Sequence, residues 1–350
     1  MKSAAIAATL LSLSAIGTSA PLTEDETSSY TGLCVTEAPD HLRPYVLSKN
    51  YGKSARLVNQ ITRLSVTGNS SAGSFSVLQV NSFTADTLAV PPHIHKRFYE
   101  NFYCTRGRVQ LWTKFNESDS EENTRVLTQG DFGGVAHNTI HTFQMVDPDT
   151  SYTVVIQPGG FEELLLIRQD GSYPSEIGSA FLPAEQPPSE NTPSRQVLEA
   201  YDHFVLHEFS PRRDDVNGMA GSGNWHNGPN EQPSDSVTPF YIAKNWGPKY
   251  LNSEEGVYKI ITPLVTDTTS AGNLTMGTIT MSPLLPNMTA SEVMLTEHTS
   301  LQVEDGQLVV TINAAATKFL YVGIGTDGLQ TRLMQNSIPW EYAAYPQYAP

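Results

Sequence analysis

The chain has 350 residues, and 36 acidic against 21 basic side chains give a formal net charge of −15 at pH 7. Because an acidic surface repels phosphate backbones, nucleic acid is not an expected partner. Two cysteines are too few for a disulfide-dense scaffold, and the sequence does not show whether Cys34 and Cys104 pair.

The first residues have the pattern of a secretory signal peptide. Lys2 precedes a short apolar run, and small residues follow at Thr18, Ser19 and Ala20. We therefore expect residues 1–20 to be removed and the mature protein to be secreted and extracellular, without a membrane anchor. In an extracellular chain the four Asn-x-Ser/Thr sequons are predicted glycosylation sites: Asn69, Asn116, Asn273 and Asn287.

The next part of the chain, residues 21–170, consists of short segments rich in Val, Thr, Phe and Tyr, separated by Gly, Asn, Asp and Pro turns. This spacing predicts an all-β barrel or sandwich, since helical periodicity is scarce. The predicted strand-like segments are residues 74–83, 100–115, 124–126, 141–146 and 152–157.

Residues 171–200 change in composition, with five prolines among many Ser and Glu, and are predicted to be a linker between domains. A second β-rich segment then spans residues 201–350. The predicted fold class is therefore all-β, with two barrel domains in one chain. The predicted strands of the second domain are residues 257–265, 274–281, 306–312 and 318–324.

The stretch HIHKRFYENFYCTRG, residues 93–107, carries a candidate metal site. His93 and His95 share one face of a strand, whereas Glu100 follows five residues after His95. The three can converge only if a turn or bulge lies between them. His141, after a Gly-Asp turn, is the fourth candidate. Three imidazoles and a carboxylate suit a first-row transition metal better than Ca²⁺ or Mg²⁺, but they do not identify which metal.

The remaining histidines fit this pattern less well. His137 could compete with His141 as a ligand, but it lies outside the spacing of the other candidates. His203 and His207 have the spacing of a helical metal site without its H-E-x-x-H order, which favours solvated or capping roles.

Residues 93–107 match the first cupin motif, G-x5-H-x-H-x4-E-x6-G, except that Thr87 replaces its leading glycine. The second motif keeps its spacing from Gly130 to Met145, with substitutions at its turn residues. The phrases YENFYC, HTFQMVDPDT, PGGFE and WGPKYLN further resemble secreted fungal quercetin 2,3-dioxygenases, over nearly the whole mature chain. The resemblance implies a bicupin fold of two jelly-roll barrels.

The resemblance also implies a site and a reaction. The metal ligands would be His93, His95, Glu100 and His141, binding one copper ion per chain, with Mn, Fe, Ni and Co as alternatives. Glu100 would be catalytic by taking the flavonol hydroxyl proton. The substrate-binding walls would be Phe102, Phe143 and Phe161. The expected reaction opens the central ring of a flavonol such as quercetin with O₂, releasing carbon monoxide and a depside.

Two rival functions stay open, an oxalate oxidase or decarboxylase and a cupin that binds a ligand without catalysis. The second half has no H-x-H pair, so it is expected to be metal-free. It is also expected to be incomplete, because Gly306 and Tyr321 are much closer in sequence than the corresponding Gly107 and Val154. The expected partners are a flavonol and O₂, and a homodimer remains an open alternative.

Overall fold

The computed structural model describes the following parts of the chain: residues 11–12, 33–57, 60–82, 87–117, 119–171, 173, 193–211, 215–216, 219–220, 229–283, 285, 293–296, 307–310, 317–326 and 328–346. Most of the predicted signal peptide, most of the linker and the sequon at Asn287 lie outside these residues. Among the described residues, no helix reaches the length and apolarity that crossing a bilayer requires.

Strands dominate the described residues. In chain order they are β1 (Leu11–Ser12), β2 (Cys34–Val35), β3 (Val46–Leu47), β4 (Ser54–Leu57), β5 (Gln60–Val66), β6 (Ser76–Ser82), β7 (His93–Ile94), β8 (Tyr99–Arg106), β9 (Val109–Phe115), β10 (Glu122–Leu127), β11 (Phe132–Val135), β12 (Thr139–Met145), β13 (Thr150–Gln157), β14 (Phe204–Val205), β15 (Asp215–Val216), β16 (Met219–Ala220), β17 (Phe240–Ile242), β18 (Tyr250–Asn252), β19 (Lys259–Val265), β20 (Thr275–Met281), β21 (Val293–Thr296), β22 (Gln307–Val310), β23 (Thr317–Gly323) and β24 (Ser337–Pro339). The helices are α1 (Glu162–Arg168), α2 (Arg195–Ala200) and α3 (Leu329–Gln335), with a 3₁₀ turn at Glu254–Gly256.

The chain divides into two compact units. The first unit comprises Thr36–His41 and Lys49–Trp246, and the second comprises Met1–Val35, Leu42–Ser48 and Gly247–Pro350. The all-β, two-domain prediction is confirmed.

The first unit is built from two antiparallel sheets. One has the strand order β17-β11-β8-β13-β6-β5-β4, and the other has the order β10-β9-β12-β7-β14. Their inner faces share one apolar core, in which Phe102 and Val154 of the larger sheet join Leu111 and Phe143 of the smaller one. The short Val- and Phe-rich segments therefore form the strands of a packed β domain, as predicted.

The predicted domain boundaries need correction. Strand β14 pairs with β7 and strand β17 pairs with β11, so residues that were assigned to the second domain from 201 onward complete the sheets of the first unit. The described end of the predicted linker also has regular structure. Residues 195–200 form α2, and the Ser194 side chain caps the N-terminus of this helix. Strands of two and three residues pair with the edges of these sheets. They are too short to leave a periodic pattern of apolar residues in the sequence.

The second unit contains one six-stranded sheet with the order β1-β23-β20-β19-β18-β24. Its core includes Ile261, Ile279 and Phe319, and α3 packs against it through Leu333. Strands β21 and β22 pair with each other in a sheet of their own. In the part of this unit that the structure describes, the edge strand beside β23 comes from residues 11–12. These residues lie within the predicted signal peptide, so the mature chain is expected to lack this edge strand. That this barrel is incomplete stays a prediction.

Candidate metal centre

Four side chains from three strands of the first unit meet at one point. His93 lies on β7, Glu100 on β8 and His141 on β12, while His95 directly follows β7. One potential ligand atom from each residue lies within 4.8 Å of those of the others, and all four residues are buried. The structure therefore brings together all four predicted ligands.

Strand pairing explains most of this convergence. His141 on β12 stands directly opposite His93 on β7 in an antiparallel pair, which places the two side chains on the same face. The chain then bends in the segment 96–98, between the end of β7 and the start of β8. This bend absorbs the five-residue step from His95 to Glu100, as the sequence predicted.

Each imidazole is held by its Nδ1 atom. A carbonyl oxygen only accepts hydrogen bonds, so each Nδ1 carries the proton and the opposite atom, Nε2, is left to face the centre of the cluster. This is the arrangement that a metal-binding histidine requires. The bonds run from His93 to the carbonyl of Pro91 (2.9 Å), from His95 to that of Asp202 (2.7 Å) and from His141 to that of Thr139 (2.9 Å).

The carboxylate of Glu100 closes the cluster. Its Oε2 lies 2.9 Å from Nε2 of His141 and 3.5 Å from Nε2 of His95. Burial alone would raise the pKa of Glu100, but the hydrogen bonds from His141 and His95 outweigh burial and lower this pKa to about 2. Glu100 is therefore an anion at neutral pH.

The arrangement fits a bound cation. Nδ1 of His141 faces the carbonyl of Thr139, and its Nε2 lies 2.9 Å from the Glu100 carboxylate. A metal ion at Nε2 would place positive charge beside that carboxylate. Burial, followed by the neighbouring His203, His141 and His95, lowers the pKa of His93 well below its ordinary value. His93 thus stays neutral, as a ligand must.

A cavity adjoins the cluster and contains about 900 Å³ of empty space, including its open mouth. His93 and Glu100 line it, together with Phe143 and Phe161. The third predicted wall residue, Phe102, is not among the lining residues. It packs in the core, 5.3 Å from the ring of Phe143 between centroids.

His203 is the residue of this site that the sequence did not predict. It is 2% exposed, it lines the cavity, and its ring stacks on that of His93 with 4.2 Å between centroids. Its Nδ1 has no hydrogen-bond partner among the described residues. Burial, followed by the neighbouring His95 and Arg168, lowers its pKa to about 3. The predicted solvated or capping role is wrong for His203.

The two other histidines that were considered as candidate ligands, His137 and His207, do not belong to the cluster. His207 is exposed, as predicted. His137 packs edge-on against Tyr99 with 5.1 Å between ring centroids and does not belong to the ligand group. The spacing of His203 and His207 did not distinguish the buried residue from the exposed one, because the two lie on either side of a two-residue strand.

No family model matches the chain. It is 36% identical over 349 residues to the quercetin 2,3-dioxygenase of Aspergillus japonicus, covering 90% of this chain and 99% of that protein. The chain belongs to the quercetin 2,3-dioxygenase family. The prediction that it is an enzyme of this family is thereby confirmed.

Other matches cover less of the chain. A quercetin 2,3-dioxygenase of Bacillus subtilis is 30% identical over 128 residues, which is 37% of this chain and 35% of that protein. Among solved structures, an oxalate decarboxylase of Lactobacillus farciminis in a formate complex is 12% identical with a TM-score of 0.40, covering 82% of this chain and 85% of that one. A TM-score this low has no bearing on fold or function here.

Proposed function

We propose that the protein is a copper-dependent dioxygenase that opens the central ring of flavonols such as quercetin with O₂ and releases carbon monoxide and a depside. The observation that carries the proposal is the buried His93, His95, Glu100 and His141 cluster beside an aromatic cavity, in a chain of this family. The two atoms of O₂ enter the opened product, and one ring carbon leaves with its oxygen as carbon monoxide.

The side chains have distinct tasks in this reaction. Nε2 of His93, His95 and His141 would hold the metal, because each Nδ1 is already committed to a carbonyl oxygen. When bound, copper supplies a coordination position that acidifies the flavonol hydroxyl and withdraws electron density from the ring. The carboxylate of Glu100 is ionised at neutral pH and accepts the hydroxyl proton at one of its oxygens.

The cavity suits a flat polyphenol. The rings of Phe143 and Phe161 and the side chains of Val80 and Leu165 provide apolar contact area and exclude water. Gln60, Thr62 and Arg168 line other parts of the cavity and supply hydrogen-bonding groups for the substrate hydroxyls.

One assay set tests the activity. The purified protein is analysed for bound metals, and the loss of quercetin absorbance is followed together with carbon monoxide release. We expect copper near one equivalent and one carbon monoxide per quercetin consumed. A protein that contains manganese and consumes oxalate, with quercetin untouched, would instead show the oxalate-degrading alternative.

We further propose that the protein is secreted and glycosylated. The leader-like first 20 residues support this, and the sequon residues Asn69, Asn116 and Asn273 are exposed. The protein recovered from culture medium should begin at Pro21 and lose mass on deglycosylation. A chain that retains residues 1–20 and stays inside the cell would contradict this.

A further inference from the structure

Asp202 lies beside the metal centre without belonging to it. Its side chain is 3% exposed, and its carboxylate accepts hydrogen bonds from three consecutive backbone N–H groups. Lys96 donates to Oδ1 at 3.1 Å, while Arg97 and Phe98 donate to Oδ2 at 2.8 and 3.3 Å. These three residues make up the bend between His95 and Glu100.

Asp202 also contacts a ligand directly. Its backbone carbonyl accepts the Nδ1 proton of His95 at 2.7 Å, which fixes the tautomer and the orientation of that ring. The residue has a φ of 61°, in the left-handed region that aspartate tolerates better than most residues. One residue thus supports the metal-binding segment through both its backbone and its side chain.

The residues that follow fasten Asp202 in place. Phe204 and Val205 on β14 pair with Ile94 and His93 on β7, and the N–H of Leu206 donates to the carbonyl of Pro92 at 2.8 Å. Asp202 is therefore fixed to the strand that carries the first ligand. The Arg97 guanidinium, 63% exposed and 3.8 Å away, adds little in comparison with the three amides.

We propose that Asp202 is a positioning residue that holds the bend at residues 96–98 in its metal-binding shape before the metal binds. Without this acceptor, one buried and two partly buried N–H groups would lose their partners, and the bend would relax. His95 and Glu100, at its two ends, would then no longer converge on His141. This inference rests on the metal-binding part of the proposed function and is independent of the substrate.

Asp131 offers a matched control. It is 1% exposed and belongs to the same unit, and its carboxylate accepts bonds from the N–H and hydroxyl of Thr128 and from the N–H of Lys244. Asp131→Asn and Asp202→Asn are the same chemical change at equally buried aspartates that cap backbone amides. Only Asp202 caps the bend between two ligands.

The test compares copper affinity, by competition with a chelator, in the wild-type protein and the two variants. The free energy of unfolding of the metal-free forms is measured beside it. We expect Asp202→Asn to lower copper affinity by about 10- to 100-fold, the usual effect of losing an outer-shell partner. Asp131→Asn should lose stability with copper affinity unchanged within a factor of about 2. Equal copper affinities in Asp202→Asn and wild type, or equal losses in both variants, would overturn the proposal.

A second measurement uses the wild-type protein and so does not depend on whether a variant folds. Amide hydrogen exchange is recorded on the full-length wild-type protein with and without copper. The amides of Lys96, Arg97 and Phe98 should stay protected after the metal is removed, because the carboxylate of Asp202 holds them. Exchange of these amides at the rate of exposed loops in the metal-free protein would show that the metal, not Asp202, shapes the bend. Neither measurement uses a flavonol, so a protein inactive on quercetin could still pass both.

Discussion

At Glu100, burial and hydrogen bonding act on one carboxyl group in opposite directions. Hydrogen bonds from two imidazoles prevail, and the folded-state pKa falls from 4.5 to about 2. The stabilisation from this anion is complete above its ordinary pKa and is lost as the pH falls from about 4.5 through 2. Glu100 is therefore ionised at neutral pH, the state in which its oxygens can accept a proton.

Replacing Glu100 by glutamine tests this role, because the amide keeps the size of the side chain and removes the base. We expect turnover of Glu100→Gln to fall by roughly 10²-fold or more, the usual contribution of a positioned general base. Copper loading should fall less than in His95→Ala, since three imidazoles remain in the glutamine variant. Steady-state rates are measured on metal-quantified protein. Wild-type turnover in Glu100→Gln would mean that the proton goes elsewhere.

The two cysteines differ in exposure, and the structure records both as free thiols, with Cys34 exposed and Cys104 buried. Burial raises the pKa of the Cys104 thiol to about 12, so its reactive thiolate does not form near neutral pH. A thiol reagent should therefore label one cysteine in the native protein and two in the unfolded protein. Raising the pH from 7 to 9 should not expose the second. Labelling of Cys104 in the native state at pH 9 would contradict the burial.

At the scale of single elements, the alternation of side chains along a strand predicts which face a residue occupies, but not whether it lines the cavity. Alternate residues along a strand share a face, which places Phe143 on the same face of β12 as His141 and Phe102 on the same face of β8 as Glu100. Each phenylalanine lies two residues beyond a predicted ligand, yet Phe143 lines the cavity while Phe102 lies in the core. This parity therefore indicates the face of a strand and not how near a side chain lies to the cavity.

The turn before α1 packs closely against the backbone of two other segments. A Cβ atom on Gly159 would lie 2.9 Å from Cα of Gly68 and 2.9 Å from the carbonyl oxygen of Phe75, and both are backbone atoms that have little room to move. Gly159→Ala should lower the free energy of unfolding by about 1–3 kcal/mol, the usual cost of overpacking. Urea denaturation measures this, and an unchanged midpoint would show that the two loops separate easily.

On the scale of the whole molecule, composition predicted two β-rich domains but not which residues belong to each. The segments 193–211 and 229–246 continue the first unit, whereas residues 33–35 and 42–48 belong to the second. Strands β14 and β17 join the sheets of the first unit through hydrogen bonds to partners about 100 residues earlier. Such pairing depends on backbone groups, which are the same in every residue, so the sequence carries little trace of it.

Removing the metal should affect the two units differently. In the described part of the chain, the four-residue cluster of the first unit is the one group of side chains arranged to hold an ion. A metal present at 100 times its dissociation constant would stabilise that unit by about 2.7 kcal/mol. A chelator should therefore lower one calorimetric transition and leave a second unchanged. A chelator that moves neither transition, or both equally, would contradict this assignment.

The position of Asp202 in the chain has a consequence for biosynthesis. All four ligands have been synthesised once the ribosome passes His141, but Asp202 and strands β14 and β17 follow later. At about 5–20 residues per second, the roughly 100 residues between His141 and Ile242 take about 5–20 s to make. During that interval the nascent chain carries every ligand without the residues that shape the bend. Tight capture of the ion must then wait until the chain is made well beyond its last ligand, and a ribosome that stalls near residue 170 would leave a fragment that binds metal poorly.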